Sequence, residues 1–385
     1  MTDSAAAGPG DSAGHGGTGQ PAGAGDTGAG HRDGDDRPRP GRFRWGRIAE
    51  PVRDAAFRRD LLHGAGLLLG TLVIAIGFIT SYAGALHNPH PRRLPVAVVA
   101  GDTAAQQLLA GVRTQTDAIR ARTYASPQAA ADALGTRDAY ALLSAGPGGL
   151  VLTTASAASP AATQTITTVF TTAARTANAP LDVTDRYPTS TQDPRGLVPF
   201  YLAIGLVLGG YLATAALGVT LGTAPRSFGR AGLRIGAFAI YSALLGLAGA
   251  LVTGPALGVF DRHLGSIAVA GMLVVFASTL VAAAVQSWLG LVGTGLVIVL
   301  LVVLGNPGSG GIYAPEFLPG IFAQMHQWNI PGLATDLIKS VAYFPDPQAA
   351  HWPLLELVLW GLAGLIALLF ATGVMGRGPA PRHHR

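Results

Sequence analysis

The chain has 385 residues, 49% apolar and 12% charged, with a mean hydropathy of +0.38; the charged share is about half that of an ordinary soluble protein. It has no cysteine, which excludes disulfides, thiolate nucleophiles and Cys-ligated metals. The net charge of +5 and pI of 9.8 come without a compact pattern of basic and aromatic residues, so nucleic acid is not an expected partner.

Residues 1–41 are Gly, Ala, Asp, Ser and Pro, with almost no large apolar side chain. Such a segment buries too little surface to order itself and reads as a disordered cytoplasmic tail. Residues 42–62 interleave Phe43, Trp45, Ile48, Val52 and Phe57 with Arg44, Arg47, Arg53, Arg58 and Arg59. That mixture suits an amphipathic helix in the headgroup plane, kinked or restarted at Pro51. Residues 63–86 hold the first span, Ala65 to Ala85, which is uncharged and of crossing length. The arginines before it place its start in the cytoplasm.

Residues 87–196 read as an extracytoplasmic α/β domain between the first two spans. Strands are expected at Leu94–Ala100, Ile119–Tyr124, Ala139–Ser144, Gly149–Thr154 and Leu181–Tyr187. Helices are expected at Thr103–Thr114, after Ser126-Pro127, and from Ser159-Pro160 through Asn178. Gly101-Asp102 lacks the further glycines of a phosphate-binding loop and reads as a plain turn.

Residues 197–304 carry spans two to five: Pro199–Leu221, Ile235–Leu257, Ile267–Ala284 and Leu289–Leu304, with a tight hairpin at Gln286-Ser287-Trp288. Arg226, Arg230 and Arg234 form a basic loop after span two, which places it in the cytoplasm and offers a face for a partner ATPase. Residues 305–353 are too rich in large apolar residues for a loose loop; short helices at the outer interface or a shallow re-entrant pair are expected. The last span lies in 354–375, from Leu354 to Val374, and 376–385 is a basic cytoplasmic tail. The expected fold is therefore a polytopic α-helical membrane protein with six transmembrane helices, both termini cytoplasmic.

Chemistry-bearing patterns are few. Gly205, Gly209 and Gly210 in span two, and Gly254 and Gly258 at the end of span three, have the spacing of close helix contacts. Glu356 is the only ionisable residue well inside a span, and it sits near the outer end. His326 has no other ligand type beside it in sequence, so no metal site is expected, and Lys339 is the only lysine. No Walker motif, catalytic triad or zinc pattern occurs, so the chain is not expected to be an enzyme or to bind a cofactor.

Three stretches then coincide: a span followed by an exported α/β insert, DPRGLVPFYLAIGLVLGGYLATAALG, and GNPGSGGIYAPEFLPGIFAQMHQWNIPGLATDLIKSVAYF. Together they resemble the actinobacterial branch of the type 2 ABC permeases and phage-infection-protein-like membrane proteins, over about residues 60–375. The resemblance implies a six-helix permease in a bacterial plasma membrane, working as a homodimer or with a related permease. A separate nucleotide-binding subunit would carry ATP, and an amphiphilic or hydrophobic substrate would move outward. Asp193, Pro194, Arg195 and Gly196 match the motif before span two; Asn306, Pro307, Ser309, Gly310 and Gly311 match the outer motif. With Glu316 and Glu356, these residues are assigned to a gate or outer mouth rather than to chemistry. The insert is shorter than the long coiled-coil versions of the phage-infection branch. The competing expectation is a non-transporting envelope scaffold or receptor whose exported domain binds a partner.

Overall fold

A computed structural model describes residues 55–375. The expected tails 1–41 and 376–385, and positions 42–54 of the leader, lie outside the described residues. The chain enters as one helix, α1 (Ala55–Leu86), so the end of the leader is continuous with the first span instead of forming a separate helix. No proline or glycine pair interrupts that stretch. None of its most apolar window is buried, and Leu67, Leu68, Leu69, Leu72, Val73, Ile76 and Ile79 are all exposed. A surface this apolar on every side fits lipid as its solvent.

The α/β unit follows with all its expected elements: β1 (Leu94–Val99), α2 (Thr103–Arg113), β2 (Ile119–Tyr124), α3 (Pro127–Gly135), β3 (Ala141–Gly146), β4 (Gly149–Thr154), α4 (Pro160–Thr176) and β5 (Leu181–Asp185). The strands form one mixed sheet in the order β2-β1-β3-β4-β5. β1 is parallel to β2 and β3, β3 and β4 make an antiparallel hairpin, and β5 joins β4 in parallel. Alternation along β1 divides the core. Leu94, Val96 and Val98 share one cluster with Leu109 of α2 and Ile166 and Phe170 of α4, while Ala97 joins Ala130 of α3. Asp102 accepts from Ala105 N (2.9 Å) at the start of α2 and from Ala145 N (2.5 Å) on β3, so the Gly101-Asp102 turn ties two elements together.

The helical part comprises α5 (Val198–Leu221), α6 (Phe228–Leu251, continued as a π-helix over Val252–Ala256), α7 (Leu264–Ile298), α8 (Gly320–His326), α9 (Ile330–Tyr343) and α10 (Gln348–Met375). α7 is the hub: 67% of its apolar window is buried, against 39% or less for every other candidate span. α5, α6 and α10 each meet it at a glycine. A Cβ on Gly210 would lie 3.0 Å from Val275 O; one on Gly246, 2.7 Å from Ala268 O; one on Gly364, 2.7 Å from Val281 N. With no side chain at these points the backbones approach closely enough for dispersion to hold them.

Of the expected packing glycines, Gly209 faces α6 at Tyr241 and Leu245, whereas Gly205 has nothing within 4 Å. Gly254 lies in the π-helical turn, and Gly258 lies past it with φ +67°, so the pair does not form a notch on one helix. Gly246 and Gly364 do that work instead.

The expected hairpin also moves. α7 continues through Gln286-Ser287-Trp288 and reverses at Gly290, whose φ of 58° and ψ of −138° only glycine adopts readily. Beyond it the chain doubles back: Gln286 Nε2 donates to Thr294 Oγ1 (2.9 Å), and Ser287 Oγ donates to Ala283 O (2.7 Å) within the helix. The returning arm, Val292–Leu304, is helical but only about 20 Å long, short of the hydrocarbon thickness. Ser81 of α1 packs on its end, with its Oγ donating to Val303 O (2.5 Å). Among the described residues five helices are long and apolar enough to cross a membrane, plus this shorter arm, where six spans were expected. This is the architecture of a multi-pass membrane protein.

Other bounds shift outward. α6 starts seven residues before the expected Ile235, capped by Ser227, so Arg230 and Arg234 sit on its first turns rather than in a loop. α10 starts six residues before Leu354 and carries Pro353 within it. α9 is wedged among α5, α7 and α10, with Ile330, Leu333, Ala334, Leu337 and Ile338 in the main core.

Candidate functional site at the junction of sheet and bundle

The segment 305–353 binds the α/β unit to the helices. Ala314 and Phe317 enter the sheet's own core, and Phe344 and Ala349 pack against Leu134, Ala155, Ala157 and Ala158. The α/β unit is therefore completed by residues from far down the chain. At this apolar seam sits a polar network that sequence spacing does not reveal.

Its centre is Arg137, just past the end of α3. Arg137 holds a left-handed φ of 68°, closing the helix as its N–H donates to Leu134 O (3.3 Å). A glycine is the usual occupant, and an L side chain there is unfavourable by about 1 kcal/mol. The side chain explains the choice. Nη2 donates to Asp336 Oδ1 (2.6 Å), while Nη1 donates to Asp336 O (3.0 Å) and to Ser340 Oγ (2.9 Å), all on α9. His326 Nε2 donates to the other oxygen, Asp336 Oδ2, at 2.9 Å. Burial alone would raise the Asp336 carboxyl, but Arg137 and His326 outweigh it and hold it well below the usual carboxylate range.

Lys339 lies one turn on from Asp336 and is buried. Its Nζ donates to Ala158 O of the α/β unit and to Gly310 O, both at 3.3 Å. Burial, then the charge of Arg137, pushes Lys339 down to about 8. Tyr140 closes the far side, its hydroxyl donating to Glu316 Oε2 (2.9 Å); burial and then the Glu316 carboxylate hold this phenol well above its ordinary range. These groups line a cavity of about 260 Å³.

The expected outer-mouth residues divide. Gly310 and Glu316 belong to this site. Gly310 has φ +69°, and a Cβ there would meet the His326 ring at 2.7 Å. Asn306, Pro307 and Ser309 form the turn leading to it. Asp193 is buried and accepts from Leu197 N (3.1 Å) and Val198 N (2.7 Å), anchoring the start of α5. Gly196 (φ +62°) turns the chain into that helix, and Arg195 is exposed beside it. Glu356 is half-buried on α10 and hydrogen-bonds to none of the network. Arg137 and Asp336 were not singled out by the sequence, Lys339 was noted only as the one lysine, and His326, which has no ligand type beside it in sequence, meets Asp336 in space. One signal was available: Asp336 and Lys339 are charged, three apart, on a helix otherwise apolar or small.

At the other end of α5 the three arginines also divide. Arg234 is buried and turned onto the C-terminal end of α5, donating to Leu217 O (3.1 Å), Gly222 O (2.5 Å) and Thr223 O (3.0 Å). A cation there satisfies the orphan carbonyls and the helix dipole. It is a cap, not a surface group, whereas Arg226 and Arg230 are exposed on the rim of a hollow of about 750 Å³. Comparison of the chain with family models, curated proteins and solved structures returns no match.

Proposed function

We propose that the chain is the membrane permease subunit of an ABC-2-type exporter in a bacterial plasma membrane, moving an amphiphilic or hydrophobic substrate outward. The observation that carries this reading is the pair of unlike ends on one bundle. α5 begins at the polar junction under the α/β unit and ends, 24 residues later, at the hollow rimmed by Arg226 and Arg230. The α/β unit and α9 close the first end, which is the extracytoplasmic one by the arginine distribution. The second end faces the cytoplasm and presents exposed basic groups to a partner. The chain carries no nucleotide-binding motif of its own, so a separate ATPase supplies the energy. Two copies pair through the exposed apolar faces of their helices.

The test is co-purification of the full chain with candidate ATPases and measurement of ATP hydrolysis. Stimulation that falls about tenfold in Arg226→Glu/Arg230→Glu, with the fold intact, supports the reading. Hydrolysis unaffected by the chain for every ATPase that binds it refutes it. The second reading, an envelope scaffold, is favoured by one feature: an open groove of about 630 Å³ on the α/β unit between α2 and α4. A stable complex through that groove, without any ATPase, is its signature.

A further inference from the structure

The cavity at the junction leaves buried N–H groups without a partner. Lys339 has three ammonium protons, and only two carbonyls accept them, both at the long distance of 3.3 Å. Among the described residues no carboxylate lies within 4.0 Å of its Nζ. Arg137 Nε and His326 Nδ1 are buried without any hydrogen-bond partner. Of the carboxylates here, Asp336 pairs with Arg137 and His326, Glu316 accepts from the neutral Tyr140 hydroxyl, and Asp193 acts on Lys339 through space. What is left over is N–H-bearing: the third ammonium proton of Lys339 and the Nε–H of Arg137. Buried donors of this kind are costly when unpaired, and an anion satisfies them.

The surroundings indicate which anion. Trp352 lines the cavity and is exposed, as are Trp328 and Ile321 on the same outer segment. Such aromatic residues mark the level of the lipid headgroups, where the common anion is a phosphodiester. The volume is just under the range that holds a drug-sized ligand, so it suits a headgroup and not a whole amphiphile.

We propose that this cavity is a binding site for a phosphodiester monoanion, held by Lys339 with Arg137, and supplied either by a lipid headgroup or free in water. The site is formed within one chain, so the proposal does not depend on the exporter reading.

The probe is dimethyl phosphate, whose single charge does not change near neutral pH. It is added to the full chain, freed of phospholipid in maltoside micelles, and followed by its phosphorus NMR line width. Saturable broadening is expected, with affinity about tenfold weaker in Lys339→Met and largely retained in Lys339→Arg. Asp182→Asn, on β5 and not among the cavity's lining, leaves it unchanged. In the wild type, affinity falls about fivefold between pH 7 and pH 9.5, as Lys339 loses its proton. This second measurement decides the matter even if a Lys339 variant does not fold. Competition by short-chain phosphatidylglycerol assigns the site to a lipid headgroup; binding without such competition assigns it to a water-soluble phosphodiester. Line widths that do not saturate, or affinity that is flat with pH, overturn the proposal.

Discussion

Replacing Arg137 separates two opposing effects at one residue. Arg137→Ala removes the ion pair to Asp336 and the bond to Ser340 but keeps an L residue at φ 68°. Removing one partner of a buried pair is unfavourable by about 3–5 kcal/mol. Here the two side chains are 16% and 26% exposed, so water reaches the abandoned carboxylate and His326 still donates to it. The expectation is reduced to about 2–3 kcal/mol of destabilisation. Arg137→Gly loses the same bonds but relieves the left-handed strain, so it is less destabilising than Arg137→Ala by about 1 kcal/mol. Pairing Arg137→Ala with Asp336→Ala gives a coupling energy of about 2 kcal/mol. The assay is denaturant unfolding of the full chain in maltoside micelles, with hydrogen exchange on α3 and α9 to locate the loss. Arg137→Ala within about 0.5 kcal/mol of wild type, or Arg137→Gly no better than Arg137→Ala, would refute this account of Arg137.

Lys339→Met stabilises the protein at pH 7 by on the order of 1–2 kcal/mol, read by the same unfolding assay, because it removes a buried ammonium held by only two long bonds. The folded group titrates at about 8, below the unfolded value, so the wild type gains stability relative to the variant as pH rises between about 8 and 10.4. Gly246→Ala destabilises by about 1–3 kcal/mol, since its Cβ would strike Ala268 O and Met272 N, backbone atoms that cannot rotate away. Gly205→Ala, with open space around it, is neutral or stabilising by up to about 1 kcal/mol, and equal losses at the two glycines would refute the helix-contact assignment.

The sequence by itself determined the elements. The short apolar run LPVAVV, the alternation in IRARTY, the caps Ser126-Pro127 and Ser159-Pro160, and the long uncharged runs are local signals, and local signals fix local structure. It could not determine which glycines touch, because Gly205 and Gly246 look alike in a chain with 53 glycines and only the facing helix distinguishes them. Nor could it locate the α7 hairpin, where three polar residues suggested a turn but found partners within the bundle, leaving Gly290 as the point able to take the required backbone angles. The junction was least legible of all. Arg137 and Asp336 stand 199 residues apart, and their pairing exists only because α9 wedges into the bundle directly under the end of α3. Burial gives that pair its strength, and burial is a property of the assembled tertiary structure rather than of any stretch of chain.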